Sequence, residues 1–274
     1  MTSSGCLGPM LAGARKGLMA HWREYLMEGL ELALFMVAAG FFTVLFGYRG
    51  SPAYAADPLA QRALVGGAMG LTAVGLIYSP LGRRSGGHFN PAVTLSFLRL
   101  GTISGWDALF YVLAQFMGGI AGVAMTAAAL GPPFERFPVR YVVTVPGRAG
   151  ASVAFAAELL LAFLLMGTVL GVGSRPRLAR YTGAAAGTLV ALFILLESPY
   201  SGMSINPART VGSALPAGTW TGVWLYFAAP LLGMLLAAEG KIRLGAPGVH
   251  SAKLHDDHRH CLFRCGQHEG LPRT

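Results

Sequence analysis

Apolar residues fall in six blocks along this chain, at 25–46, 62–80, 106–129, 151–172, 180–197 and 220–239. Each is close to the ~20 residues that a helix needs to cross a bilayer core. Each contains glycine, and after the first block charge is nearly absent inside them. Segments 81–104 and 198–219 have a different pattern. Each opens on small and polar residues and then carries one short apolar run. The runs are Val93-Thr94-Leu95-Ser96-Phe97-Leu98 and Thr210-Val211-Gly212-Ser213-Ala214-Leu215. About ten residues of helix rise about 15 Å, half of a bilayer core. Each segment is therefore predicted to hold a re-entrant half-helix. The fold class is an all-α membrane protein of six transmembrane helices plus two half-helices.

Both half-helices begin on the same tripeptide. Asn90-Pro91-Ala92 and Asn206-Pro207-Ala208 contain the only two asparagines of the chain. Asn at the N-cap with Pro at the first helical position starts a helix abruptly. Two copies of a rare polar motif in an apolar chain indicate an internal repeat with a functional centre. An odd number of full spans per half makes that repeat an inverted one. One half-helix then enters from each side, and their N-termini meet near the midplane. The chain divides into an N-terminal segment 1–24, a first repeat 25–129, a linker 130–150 with Pro132, Pro133, Pro138 and Pro146, a second repeat 151–240, and a tail 241–274.

Composition places these elements in lipid. Only 12% of residues are charged and 54% are hydrophobic, against about 25% charged in soluble domains. The N-terminus lacks the layout of a cleaved signal. With that end in the cytoplasm, 15 cations fall on the cytoplasmic side and 6 on the other, so both termini are expected inside. The net charge of +9 is then mostly a topology signal, and no soluble basic face exists for nucleic acid. The bias of 18 Arg over 3 Lys, with asparagine so rare, suggests a GC-rich bacterium and hence its inner (plasma) membrane.

The motif geometry carries a mechanism. Each helix N-terminus presents about half a positive charge, so two of them facing a narrow tube repel cations, hydrated protons included. The Asn90 and Asn206 amides offer N–H donors to a passing oxygen. A water held by both is oriented, which interrupts a proton-relay wire.

With both signature segments intact across about 20–245, the sequence resembles the aquaporin and aquaglyceroporin (major intrinsic protein) family. The resemblance implies a right-handed bundle with one pore per subunit, a homotetramer, and small neutral permeants. It also implies that Arg209 lines an outer constriction, where it donates to the permeant and repels cations. Counting back without gaps from the two motifs gives Gly70, Ile194 and Met203 as the other filter positions. That quartet predicts a filter wider and more apolar than a strict water filter. Thr210, Ala214 and Tyr226-Phe227 instead match the water-type branch, so both water and small uncharged solutes stay open. In the family, carboxylates at the positions of Glu28 and Glu158 accept hydrogen bonds from the re-entrant backbones. His88 is read as a structural part of the loop at the cytoplasmic pore mouth.

Other features add less. Gly118 with Gly122, and Gly183 with Gly187, have the spacing of close helix contacts. Glu197 is expected at the interface, and Glu31 has no counterpart in the second half. Histidine and cysteine clusters can bind zinc or copper, and the tail supplies His255, His258, His260, Cys261, Cys265 and His268 as ligands. Their spacing fits no standard finger, so the tail is read as disordered, with no metal and no cofactor expected. Rival functions are a coupled secondary transporter, which needs an ion-binding midplane, and a non-conducting scaffold. With no nucleophile–base pair inside the spans, an enzyme is not expected.

Overall fold

The computed structural model describes residues 7–245. Their α-helices are α1 (Leu7–Gly47), α2 (Pro58–Tyr78), α3 (Pro80–Ser85), α4 (Pro91–Arg99), α5 (Gly105–Leu130), α6 (Pro132–Glu135), α7 (Ala151–Gly173), α8 (Thr182–Ser201), α9 (Pro207–Ala217) and α10 (Leu225–Arg243). Two short 3-10 turns, Arg140–Val142 and Ala179–Tyr181, complete the regular elements among the described residues. Six of these helices are long and apolar enough to cross a membrane: α1, α2, α5, α7, α8 and α10. An even number of crossings puts the start of α1 and the end of α10 on one side, the basic face. The opposite side is the far face. The histidine–cysteine cluster of the tail lies outside the described residues.

Start signals explain most boundaries. Asp57 caps α2 by accepting from Ala60 N at 2.8 Å, with Pro58 at the first position. Ser104 caps α5 by accepting from Asp107 N at 3.2 Å. The first helix begins at Leu7, well before the predicted 25, and bends at His21, where φ is −129°. Tertiary contact holds that extension. His21 Nδ1 lies 2.9 Å from Asp107 Oδ1, the Tyr25 hydroxyl donates to the same oxygen at 2.6 Å, and Gly13 lies against Trp106. The sixth span begins at Leu225, later than the predicted 220, after a turn through Trp220–Trp224.

Small residues form the seams of the bundle. A methyl group on Gly118 would lie 1.9 Å from the Gly29 carbonyl oxygen, and one on Gly122 would lie 2.4 Å from that of Ala33, so α5 packs backbone to backbone on α1. Gly187 has the same relation to Gly70 O at 2.6 Å, which joins α8 to α2. Gly233 joins α10 to α7, 2.3 Å from Leu159 O on the same construction. Close approach of this kind supplies the van der Waals contact that holds helices together where solvent cannot drive them. The half-helices α4 and α9 are enclosed inside: Pro91, Ala92, Thr94, Phe97, Pro207, Ala208 and Ala214 are all buried.

Candidate functional site

Irregular backbone at membrane depth survives only where protein satisfies its polar groups. In the second half one buried side chain does most of this. Glu158 accepts from Ser204 N at 2.7 Å, Ile205 N at 2.5 Å and the Ser201 hydroxyl at 2.6 Å. In the first half two carboxylates divide the same work. Glu28 accepts from His88 N at 2.8 Å and Phe89 N at 2.6 Å, while Glu31 accepts the Ser85 hydroxyl at 3.0 Å. That is the role of Glu31, which lacks a sequence counterpart because Glu158 covers both tasks. Gln115 Nε2 then donates to Glu28 at 2.8 Å and to Thr94 at 3.0 Å.

The serines and tyrosines repeat as well. Ser85 Oγ accepts from Gly87 N at 2.9 Å and Ser201 Oγ from Met203 N at 3.0 Å. The Tyr111 hydroxyl donates to Ser85 O and the Tyr226 hydroxyl to Ser201 O, each at 2.5 Å. Sequence reasoning gave none of the four this role, although Tyr226 reads there as a branch marker. Ser85 and Ser201 each stand five residues before their asparagine and carried a usable signal. Tyr111 and Tyr226 lie on separate helices at unequal spacings and carried none. Left-handed backbone bends both loops, with φ of +54° at Gly87 and +52° at Met203, and +29° at Phe89 and +47° at Ile205. A side chain other than glycine pays for that conformation, and the glutamate bonds offset it.

Each motif asparagine does two jobs. The Asn90 Oδ1 caps its own helix from Ala92 N at 2.9 Å, and the Asn206 Oδ1 accepts from Ala208 N at 3.0 Å and Arg209 N at 3.2 Å. The amide nitrogens cross over: Asn90 Nδ2 donates to Ile205 O and Asn206 Nδ2 to Phe89 O, both at 2.8 Å. The two half-helices thus meet end to end, tied through their caps. One N–H of each amide is used in the tie, which leaves the second N–H of each.

Both asparagines line a cavity of about 390 Å³. On α2 its wall runs from Gln61 to Tyr78, about 26 Å of helix at 1.5 Å per residue. The lumen therefore extends to either side of the asparagines. Its walls include stripes at helical spacing, Val65, Met69, Ala73 and Ile77 from α2 beside Ala186, Val190 and Ile194 from α8. Arg209 reaches the same lumen, and its Nη1 is buried with no hydrogen-bond partner among the described residues. A buried donor left open costs free energy, so this one is suited to a passing oxygen. His88 also lines the cavity, with its Nδ1 3.0 Å from Thr94 Oγ1 and its ring stacked on Phe97 at 4.8 Å.

The lumen includes Ile194, Met203 and Arg209 but excludes Gly70. A methyl group on Gly70 would lie 2.6 Å from Gly187 O and 2.8 Å from Ala191 Cβ, so this glycine faces α8 in a helix seam. The neighbouring Met69, 1% exposed, forms the wall at that level. Adjacent positions on a helix point about 100° apart, so Gly70 turns to the seam where Met69 turns to the lumen. The lumen wall at that level is consequently not opened by a missing side chain. It is formed by an unbranched thioether, the most adaptable of apolar groups. Glu197, near the end of α8, is 7% exposed and so packs against protein. Thr210 lies off the lumen, its hydroxyl 2.5 Å from Ser204 Oγ and 3.2 Å from Thr144 Oγ1, as an internal latch of the loop.

Comparison with known proteins agrees with this architecture. Residues 17–239 match the family model described as Major intrinsic protein. A probable aquaporin of NIP type from Nicotiana alata is 36% identical over 171 residues, which are 62% of this chain and 61% of that relative. Aquaporin NIP1-3 of Oryza sativa subsp. japonica is 39% identical over 171 residues, 62% of this chain and 57% of its own. The chain thus spans less than two thirds of the length of these relatives. The X-ray structure of the aquaglyceroporin from Plasmodium falciparum superposes with a TM-score of 0.65 at 20% identity, over 81% of this chain and 95% of that one. At that identity the likeness is one of fold.

Proposed function

This chain belongs to the major intrinsic protein family, and we propose that it is a passive membrane channel for water and small uncharged solutes that excludes ions and protons. One observation carries the proposal: the open Nη1 of Arg209 and the two motif asparagines face one lumen along which the walls are otherwise largely apolar. A solute entering it sheds water, and these few donors replace the lost hydrogen bonds. A cation loses its hydration shell and meets a guanidinium and two helix N-termini instead. At the constriction, Met69, Ile194 and Met203 supply apolar wall and Arg209 supplies donors. That combination suits a compact solute with a carbon or metalloid body and several oxygens, such as glycerol, alongside water.

The basic face is assigned to the cytoplasm from the 15-to-6 distribution of cations and the positive-inside rule. A homotetramer is the assembly that family membership supports. The Arg-rich, Asn-poor composition supports a bacterial inner membrane; the relatives named above come from plants and add nothing to that placement.

Stopped-flow light scattering on proteoliposomes tests the permeant class, comparing osmotic shrinkage with glycerol re-swelling in the wild type and in Met69→Phe. The wild type is expected to pass both, and Met69→Phe to keep water flux while losing most glycerol entry. Water flux without glycerol entry in the wild type would restrict the channel to water.

A further inference from the structure

Arg62 belongs to neither motif and supports neither loop, yet it lines the same cavity. It lies on α2 seven residues before Met69, about 10 Å nearer the far face. Its Nε donates to the Leu195 carbonyl on α8 at 3.1 Å, beside the wall residue Ile194. A guanidinium has five N–H donors in a planar fork, so this bond leaves both terminal nitrogens. The side chain is half-buried, and Thr43, Gln61 and Ser198 share its stretch of the cavity. One turn further inward the wall becomes apolar at Val65 and then Met69. Among the described residues that line the lumen, the arginines are Arg62 and Arg209.

We infer that Arg62 is a specificity-determining residue: its terminal guanidinium nitrogens form an outer capture site for small neutral solutes with adjacent hydroxyl groups, ahead of the constriction. A solute has to give up water before it enters the apolar stretch at Val65. The fork can engage two neighbouring oxygens at once, which a Lys ammonium cannot match in geometry. A vicinal polyol therefore gains two bonds as it dehydrates, while a water molecule with one oxygen gains no paired contact. Because the solute is uncharged, it is concentrated at the mouth without being trapped. The Nε bond to Leu195 keeps the fork in place and ties α2 to its neighbour α8 at the edge of the lumen. The positive charge also adds an earlier barrier to cations, at a separation from Met69 comparable with the ~10 Å screening length of 0.1 M salt.

The inference rests on the reading of this cavity as a channel for uncharged solutes, and the test separates the two. Full-length wild type, Arg62→Ala and Arg62→Lys are reconstituted at matched protein content, and water and glycerol permeabilities are measured on the same vesicles. Arg62→Ala is expected to lower glycerol permeability about five-fold, the factor that roughly 1 kcal/mol of lost hydrogen bonding gives. Its water permeability should stay within about two-fold, which also certifies a folded pore. Arg62→Lys, with its charge but no fork, is expected to fall between the two. Three outcomes would overturn the assignment: unchanged glycerol flux in Arg62→Ala, a full return of selectivity in Arg62→Lys, or an equal fall of both fluxes, which would make Arg62 a tether only. A wild type that passes water but no glycerol would overturn the permeant reading itself.

Discussion

At the scale of single residues, free energy is concentrated where buried carboxylates meet backbone N–H groups. Glu158 accepts three hydrogen bonds from one loop, two of them from main chain that lipid cannot satisfy. In Glu158→Gln one acceptor oxygen becomes a donor facing another donor. The cost expected is about 1–3 kcal/mol for each group left unpaired, read as a lower unfolding temperature in detergent and weaker water flux. Met69 and Gly70 offer a sharper contrast. Gly70→Ala forces a methyl group to within 2.6 Å of a carbonyl oxygen, so about 1–3 kcal/mol of stability should be lost through overpacking. Met69→Ala opens the lumen and should raise glycerol entry relative to water. If Gly70→Ala changed selectivity while Met69→Ala did not, the wall assignment would be wrong. The sequence singled out Asn90, Asn206 and Arg209 because their chemistry is rare in an apolar chain. Met69 carried no such signal, because helix packing decides which face turns to the lumen, and adjacent residues differ by about 100°.

At the scale of elements, the two half-helices are a matched pair. Each is started by Asn-Pro, and each cap donates to the loop of the other. Matching extends to residues with no common motif, since Tyr111 and Tyr226 reach equivalent serine carbonyls from different helices. Tyr111→Phe and Tyr226→Phe are therefore expected to destabilise by similar amounts, about 1 kcal/mol each, as thermal unfolding in detergent would show. A large effect of one and none of the other would deny the equivalence. The half-helices were legible because an apolar run too short to span, preceded by small polar residues, has few other uses. The start of α1 and the short α3 were not. The first is held by Asp107, which lies 86 residues from His21. The second is a six-residue turn between Ser79, which caps it by accepting from Gly82 N, and Gly86 in the left-handed region.

At the scale of the molecule, an inverted repeat surrounds one lumen. Small residues in the seams let the helices close around it, and the half-helices meet end to end inside it. The bundle was predictable from hydropathy, and the end-to-end meeting of the half-helices from the odd number of spans per half. The course of the lumen was not, because which stripe of each helix faces inward is decided by packing between α2 and α8. The central claim is that this lumen conducts neutral molecules and refuses charge. The most direct test loads proteoliposomes with a pH-sensitive dye and follows osmotic shrinkage and imposed pH-gradient decay in one preparation. Shrinkage well above that of protein-free vesicles, with gradient decay no faster than theirs, is the result expected. Shrinkage at the bare-lipid rate, or fast shrinkage together with collapse of the pH gradient, would contradict it.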